Sequence, residues 1–152
     1  MQNTSWFKAA SLAIGFALVP SALAGGGGAP VSIFGTWEVT AYRFGDGISV
    51  GEDQAKANLG KMLTYSANRA VSDESCDTPT YSLARTTDQA FLENYRTSLA
   101  SIGIKGSAVE TVTIRCAGND WTEFGATVFR ISDREALTLW DGVYYVLERQ
   151  GD

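Results

Sequence analysis

The chain has 152 residues, 45% of them hydrophobic, a formal net charge of −5 and no histidine. That length suits one ordinary domain with a real core, and an acidic chain without a basic run is unsuited to phosphate-rich partners such as nucleic acid or anionic membranes. Without histidine there can be no Ser-His-Asp or Cys-His pair and no histidine-ligated zinc, so acid–base chemistry near neutral pH would need a perturbed carboxylate, lysine or tyrosine.

Residues 1–24 have the layout of an export signal. Lys8 gives the positive flank, Ala9 to Val19 the apolar stretch, and Pro20 breaks it before Ala22-Leu23-Ala24, an A-x-A cleavage site. The apolar run is too short for a bilayer-spanning helix, so no membrane insertion is expected after processing. The expected location is therefore the bacterial periplasm or the exterior. Because Lys8 is the only charge in that segment, its removal makes the chain more acidic. Residues 25–32, rich in glycine, read as a flexible leader, and 33–152 as a single β-rich domain.

In chain order, Phe34 to Phe44 alternates Trp37, Val39 and Ala41 with Glu38, Thr40 and Tyr42, the period of a half-buried strand. Asp46-Gly47 marks a turn. Ser49 and Glu52 have capping-box spacing, and a short helix over Glu52 to Leu59 is expected, with Ala55 and Leu59 inward and Gly60 ending it. Lys61 to Ser66, Arg69 to Val71 and Tyr81 to Arg85 are short extended segments around the polar loop Ser72 to Thr80. Thr86 and Gln89 repeat the capping signature, and Phe91, Leu92, Tyr95 and Leu99 predict a second helix over Thr87 to Ala100. Val109 to Cys116 and Gly125 to Ile131 follow as strands. Ala136 to Trp140 and Val143 to Arg149 flank Asp141-Gly142, a hairpin signal of type I′.

Both cysteines, Cys76 and Cys116, lie in the processed chain. In an oxidising compartment an isolated pair is expected to form one disulfide. The fold class that follows is mainly β: a small antiparallel barrel or curved sheet with two packed helices.

Gly35-Thr36-Trp37 opening the first strand, many short strands and Arg149 on the last one resemble the lipocalin/calycin group of small barrels. That resemblance implies that Trp37 closes one barrel end, that Arg149 packs over it, and that the shell encloses a small apolar ligand. The layout is also similar to small exported bacterial proteins, a resemblance that implies no activity.

Candidate ligand-lining residues are Tyr42, Tyr65, Phe129, Trp140 and Tyr145 around Trp37. The competing expectation is that these aromatics fill a compact core, which two helices competing for interior space would favour. Trp121, set among Asn119, Asp120, Glu123 and Phe124, is either a partner-contact knob or a staple over the barrel end. Tyr144, on the opposite face from Tyr145, is the second candidate partner contact. Asp73, Glu74 and Asp77 lack the D-x-[DN]-x-[DN]-G spacing of a calcium loop and are expected to be solvated. No metal, cofactor or catalytic residue is expected, because nothing singles out a carboxylate pair among Glu38, Asp46, Glu110 and Glu148. The function expected is non-catalytic binding of a small apolar molecule. The alternative is a protein-interaction module, such as an inhibitor of a secreted hydrolase.

Overall fold

The computed structural model describes residues 33–151. The expected export signal and glycine leader lie outside the described residues. The rest is mainly β, as expected: a strongly curved antiparallel sheet with two helices. Its first strand, β1 (Gly35–Phe44), is flanked by β2 (Met62–Tyr65) and by the last strand, β10 (Val143–Gln150). The register between β1 and β10 slips between Val39 and Ala41. One extra residue there bends the strand, which helps the sheet curl.

The short strands β3 (Ala70–Val71) and β4 (Ser75–Cys76) continue from β2, and β5 (Pro79–Thr87) follows β4 after only Asp77 and Thr78. Beyond it come β6 (Ala108–Cys116), β7 (Asn119–Asp120), β8 (Thr127–Arg130) and β9 (Glu135–Trp140). The hydrogen-bonded order is β4-β3-β2-β1-β10-β9-β8-β6-β5, with β7 beside β6. The two ends of that path are neighbours in the chain. The Cys76–Cys116 disulfide joins β4 to β6, the strand beside β5, and Ala117 N–H donates to Thr78 O at 3.2 Å. The curl of the half-barrel is thus fixed covalently across its seam.

The β9–β10 hairpin forms as its sequence requires, with φ of 49° at Asp141 and 78° at Gly142. Period-two alternation sends β10 to two different cores. Val143, Tyr145 and Leu147 face the inside of the curl with Trp37, Leu63, Tyr65, Val112, Ile114 and Val128. Tyr144 and Val146 face outward, and with Phe129 and Leu137 they are covered by Phe91, Leu99 and Ile102. The sheet is therefore buried on both faces along β8, β9 and β10.

The helices are shorter than their periodicity suggests. Helix α1 (Glu52–Lys56) buries Ala55, but Leu59 lies beyond its end and is exposed. Its start is capped by Gln54, whose Oε1 accepts from Gly51 N–H at 3.2 Å, not by Ser49 with Glu52. Helix α2 (Asp88–Tyr95) starts one residue later than expected, with Thr87 Oγ1 accepting from Ala90 N–H at 3.2 Å. It stops at Arg96, which takes a left-handed conformation with φ 56° and donates its N–H to Leu92 O. Leu99 is still buried, because Asp88 Oδ1 accepts from Leu99 N–H at 2.7 Å and draws the chain back across the sheet. Apolar spacing over Phe91 to Leu99 therefore records one buried face, not one continuous helix.

Candidate functional site

The inside of the curl is where the resemblance places a ligand. Trp37 sits there fully buried, its Nε1–H donating to Ile33 O at 2.8 Å. The Arg149 guanidinium lies 4.3 Å from the indole centroid, a stack that gains about 0.5–2 kcal/mol. It also donates through Nε to Asp133 O at 2.6 Å and through Nη1 to Phe34 O. This is the arrangement expected of Trp37 and Arg149. It ties both termini of the domain to one end of the sheet.

The expected ligand-lining aromatics are brought together only in part. Tyr65 is buried and donates to Gly125 O at 2.8 Å. Tyr145 is buried and accepts from Asn58 Nδ2 at 3.0 Å. Phe124 packs between Tyr145 and Trp140, with ring centroids 5.0 and 6.1 Å away. Tyr42, half-buried, donates to Glu52 Oε1 at 3.1 Å. None of the three principal clefts is lined by these residues. Phe129 does not join them at all. One step of strand alternation turns it to the other face, against Phe91 and Tyr95 at 5.0 and 5.2 Å.

The two expected partner contacts are also corrected. Trp121 is only 8% exposed and packs into the inner core, so it acts as the staple rather than the knob. Tyr144 is 1% exposed, under α2. In the acidic loop, Lys61 Nζ holds Asp73 at 2.6 Å and Arg69 Nε lies 3.4 Å from Asp77. Two of its three carboxylates are thus engaged by the chain's own cations.

The principal cleft lies on the outer face, away from the aromatics expected to line a ligand. It is open, about 570 Å³ in volume, and formed by three segments. The loop Asp46-Gly47-Ile48 makes one wall, Asn94 to Thr97 at the end of α2 the second, and Leu139, Gly142 and Tyr144 of the β9–β10 hairpin the floor. Two glycines allow these parts to meet. A Cβ at Gly45 would stand 2.5 Å from Thr97 Oγ1 and 2.7 Å from the Tyr144 ring, and one at Gly142 would collide with the Ile48 backbone. Thr97, itself buried, accepts from Asp46 N–H at 3.2 Å, and Val50 N–H donates to Asp141 O at 3.1 Å. The loop is thereby pinned to both other walls.

Burial raises the phenol pKa values of Tyr95 and Tyr144, and for Tyr144 hydrogen bonding with Thr97 opposes the rise. Both therefore stay protonated and neutral at ordinary pH. The cleft offers apolar walls from Tyr95, Leu139, Tyr144 and Ile48, with Asn94, Arg96 and Asp46 as polar groups. Apolar walls with a few polar groups are the usual lining of small-molecule sites. The signals available in sequence were Gly45-Asp46-Gly47 followed by a lone isoleucine, and Tyr95 at the expected helix face.

Comparison with family models, with curated proteins and with solved structures returned no match.

Proposed function

We propose that this chain is a non-catalytic binding protein of an exported compartment, and that it receives a small, largely apolar molecule in the outer cleft rather than inside the curl. The observation that carries this reading is the cleft itself. Its volume of about 570 Å³ falls within the 300–1,000 Å³ common for ligand sites, and its few polar groups sit among apolar walls. Aromatics packed against one another inside the sheet favour a structural interior. The disulfide and the absence of histidine agree with an exported protein that binds without turnover.

The test is titration with 8-anilinonaphthalene-1-sulfonate, an apolar probe carrying one anionic group. Saturable enhancement of its emission is expected, and Leu139→Arg, which places a charge on the cleft floor, should abolish it while the domain stays folded. Emission that rises without saturating, or that survives Leu139→Arg, refutes the proposal.

One observation favours a second reading, a protein-interaction module. Ile48 stands 98% exposed at the cleft rim, next to the apolar walls of Tyr95, Leu139 and Tyr144, and an apolar surface of that kind suits cover by a protein partner. Under that reading Ile48→Asp would weaken capture of a protein partner while the domain stays folded.

A further inference from the structure

The outer edge of β5 carries backbone hydrogen-bonding groups that face no other strand among the described residues. Asp88 N–H donates to Ser107 O, and Ala117 N–H donates to Thr78 O. Both bonds follow the β5–β6 register that pairs Pro79 with Cys116 and Thr87 with Ala108. In an antiparallel pair bonded residues alternate, so the even positions Thr80, Ser82, Ala84 and Thr86 bond to β6. The N–H and C=O groups of Tyr81, Leu83 and Arg85 therefore point away from it. Among the described residues β5 pairs with β6 alone, and it ends the strand order. The Tyr81 side chain reaches the β2–β3 turn, its Oη donating to Ser66 O at 2.7 Å. Past that point Ser82, Leu83, Ala84 and Arg85 are all exposed.

Unpaired edges are ordinarily blunted by charge, proline or a bulge. β5 has Pro79 at its start and Arg85 near its end, but Ser82-Leu83-Ala84 carries none of these, and its register with β6 is unbroken.

We propose that a second copy of this chain pairs with this edge, antiparallel and two-fold symmetric about Leu83. The edge is complementary to itself. With Leu83 opposite its own copy, each Arg85 faces the other chain's Tyr81 and no like charges oppose one another. About six backbone hydrogen bonds then form from groups that face no other strand among the described residues of the single chain. The apolar side chain of Leu83, 51% exposed, is covered at the centre. Charge favours this seam on a molecule of net charge −5, since Arg85 is the sole charged residue in Pro79–Thr87. The nearest carboxylate across the register, Glu110, lies 3.9 Å from Arg130 Nη1.

Light scattering on the oxidised chain over a wide concentration range, combined with amide hydrogen exchange, tests this. A concentration-dependent doubling of mass is expected, with exchange at Leu83 and Arg85 slowing as the dimer forms. Leu83→Lys opposes two charges at the axis, and Leu83→Pro removes only an outward N–H. Both should halve the mass, whereas Leu92→Lys, on the exposed face of α2, should leave it doubled. A single-chain mass at every concentration overturns the proposal, as does a dimer in which Leu83 and Arg85 amides exchange as fast as in the monomer. The unmodified chain alone supplies both outcomes should either variant fail to fold.

Discussion

Removing the Cys76–Cys116 bond should lower stability by about 4 kcal/mol. The two residues are 40 positions apart, and closing a loop of that length in the unfolded chain removes entropy worth about 4 kcal/mol near room temperature in the chain-entropy treatment. For a domain of this size that is a fall of about 15 °C in Tm. The fold adds a local expectation. β3 and β4 contribute two residues each to the sheet, and Cys76 is the last residue of β4. The corner they form is held by few ladder bonds, so the disulfide and the buried Ala70 carry much of its attachment. Calorimetry should compare the oxidised chain with the reduced chain and with the Cys76→Ala/Cys116→Ala double variant, which separates loss of the bond from exposure of thiols. Hydrogen exchange should show Ala70, Val71 and Ser75 opening first. Equal midpoints with and without reductant would refute the argument that this bond fixes the seam.

Three further perturbations probe the inner core and the cleft. Tyr65→Phe leaves Gly125 O without its buried donor and should cost roughly 1–3 kcal/mol, read from urea midpoints. Burial holds the Tyr65 pKa far above its ordinary value of 10.0, so the folded chain keeps that proton while the unfolded chain loses it. The stability this gives is complete below about pH 10 and falls above it by about 1.4 kcal/mol per pH unit, a slope that Tyr65→Phe should reduce. Arg149→Ala removes the stack on Trp37 and two bonds to backbone carbonyls, an expected loss of roughly 2–4 kcal/mol by thermal unfolding. Arg149→Lys should recover little, because an ammonium cannot stack and reach both carbonyls together. Gly142→Ala places a side chain against Ile48 at a φ of +78°, and should cost about 2 kcal/mol and weaken probe binding by moving the cleft wall.

Much of this fold is legible in the sequence because its signals are local. The alternation in β6 and in β1 as far as Val39, the Asp141-Gly142 turn and the lone cysteine pair each specify structure over a few residues and appear as expected, whereas past the bulge in β1 the faces swap, leaving Ala41 exposed and Tyr42 against the inner core. The faces are harder. Phe129 reads like Tyr145 in composition, but which side of the curl each occupies depends on pairing register, and a single step separates inner-facing from helix-facing positions. Trp121 among acidic neighbours reads equally as an exposed knob or as a staple, and the path after β7 turns it into the inner core. The outer cleft was not legible because its three walls come from segments about forty to fifty residues apart, which meet only through close approaches at Gly45 and Gly142. The end of α2 was missed for a related reason: Leu99 keeps helical spacing while a side-chain bond from Asp88, eleven residues away, shapes the chain.

The separation of a structural interior from an outer binding face is tested most directly by two-dimensional amide NMR during titration with 8-anilinonaphthalene-1-sulfonate. Resonances of Tyr95, Arg96, Leu139 and Tyr144 should shift and saturate together, with those of Tyr65, Trp140 and Tyr145 unmoved. Saturable shifts centred on Tyr65 and Tyr145, with the outer cleft silent, would contradict the account.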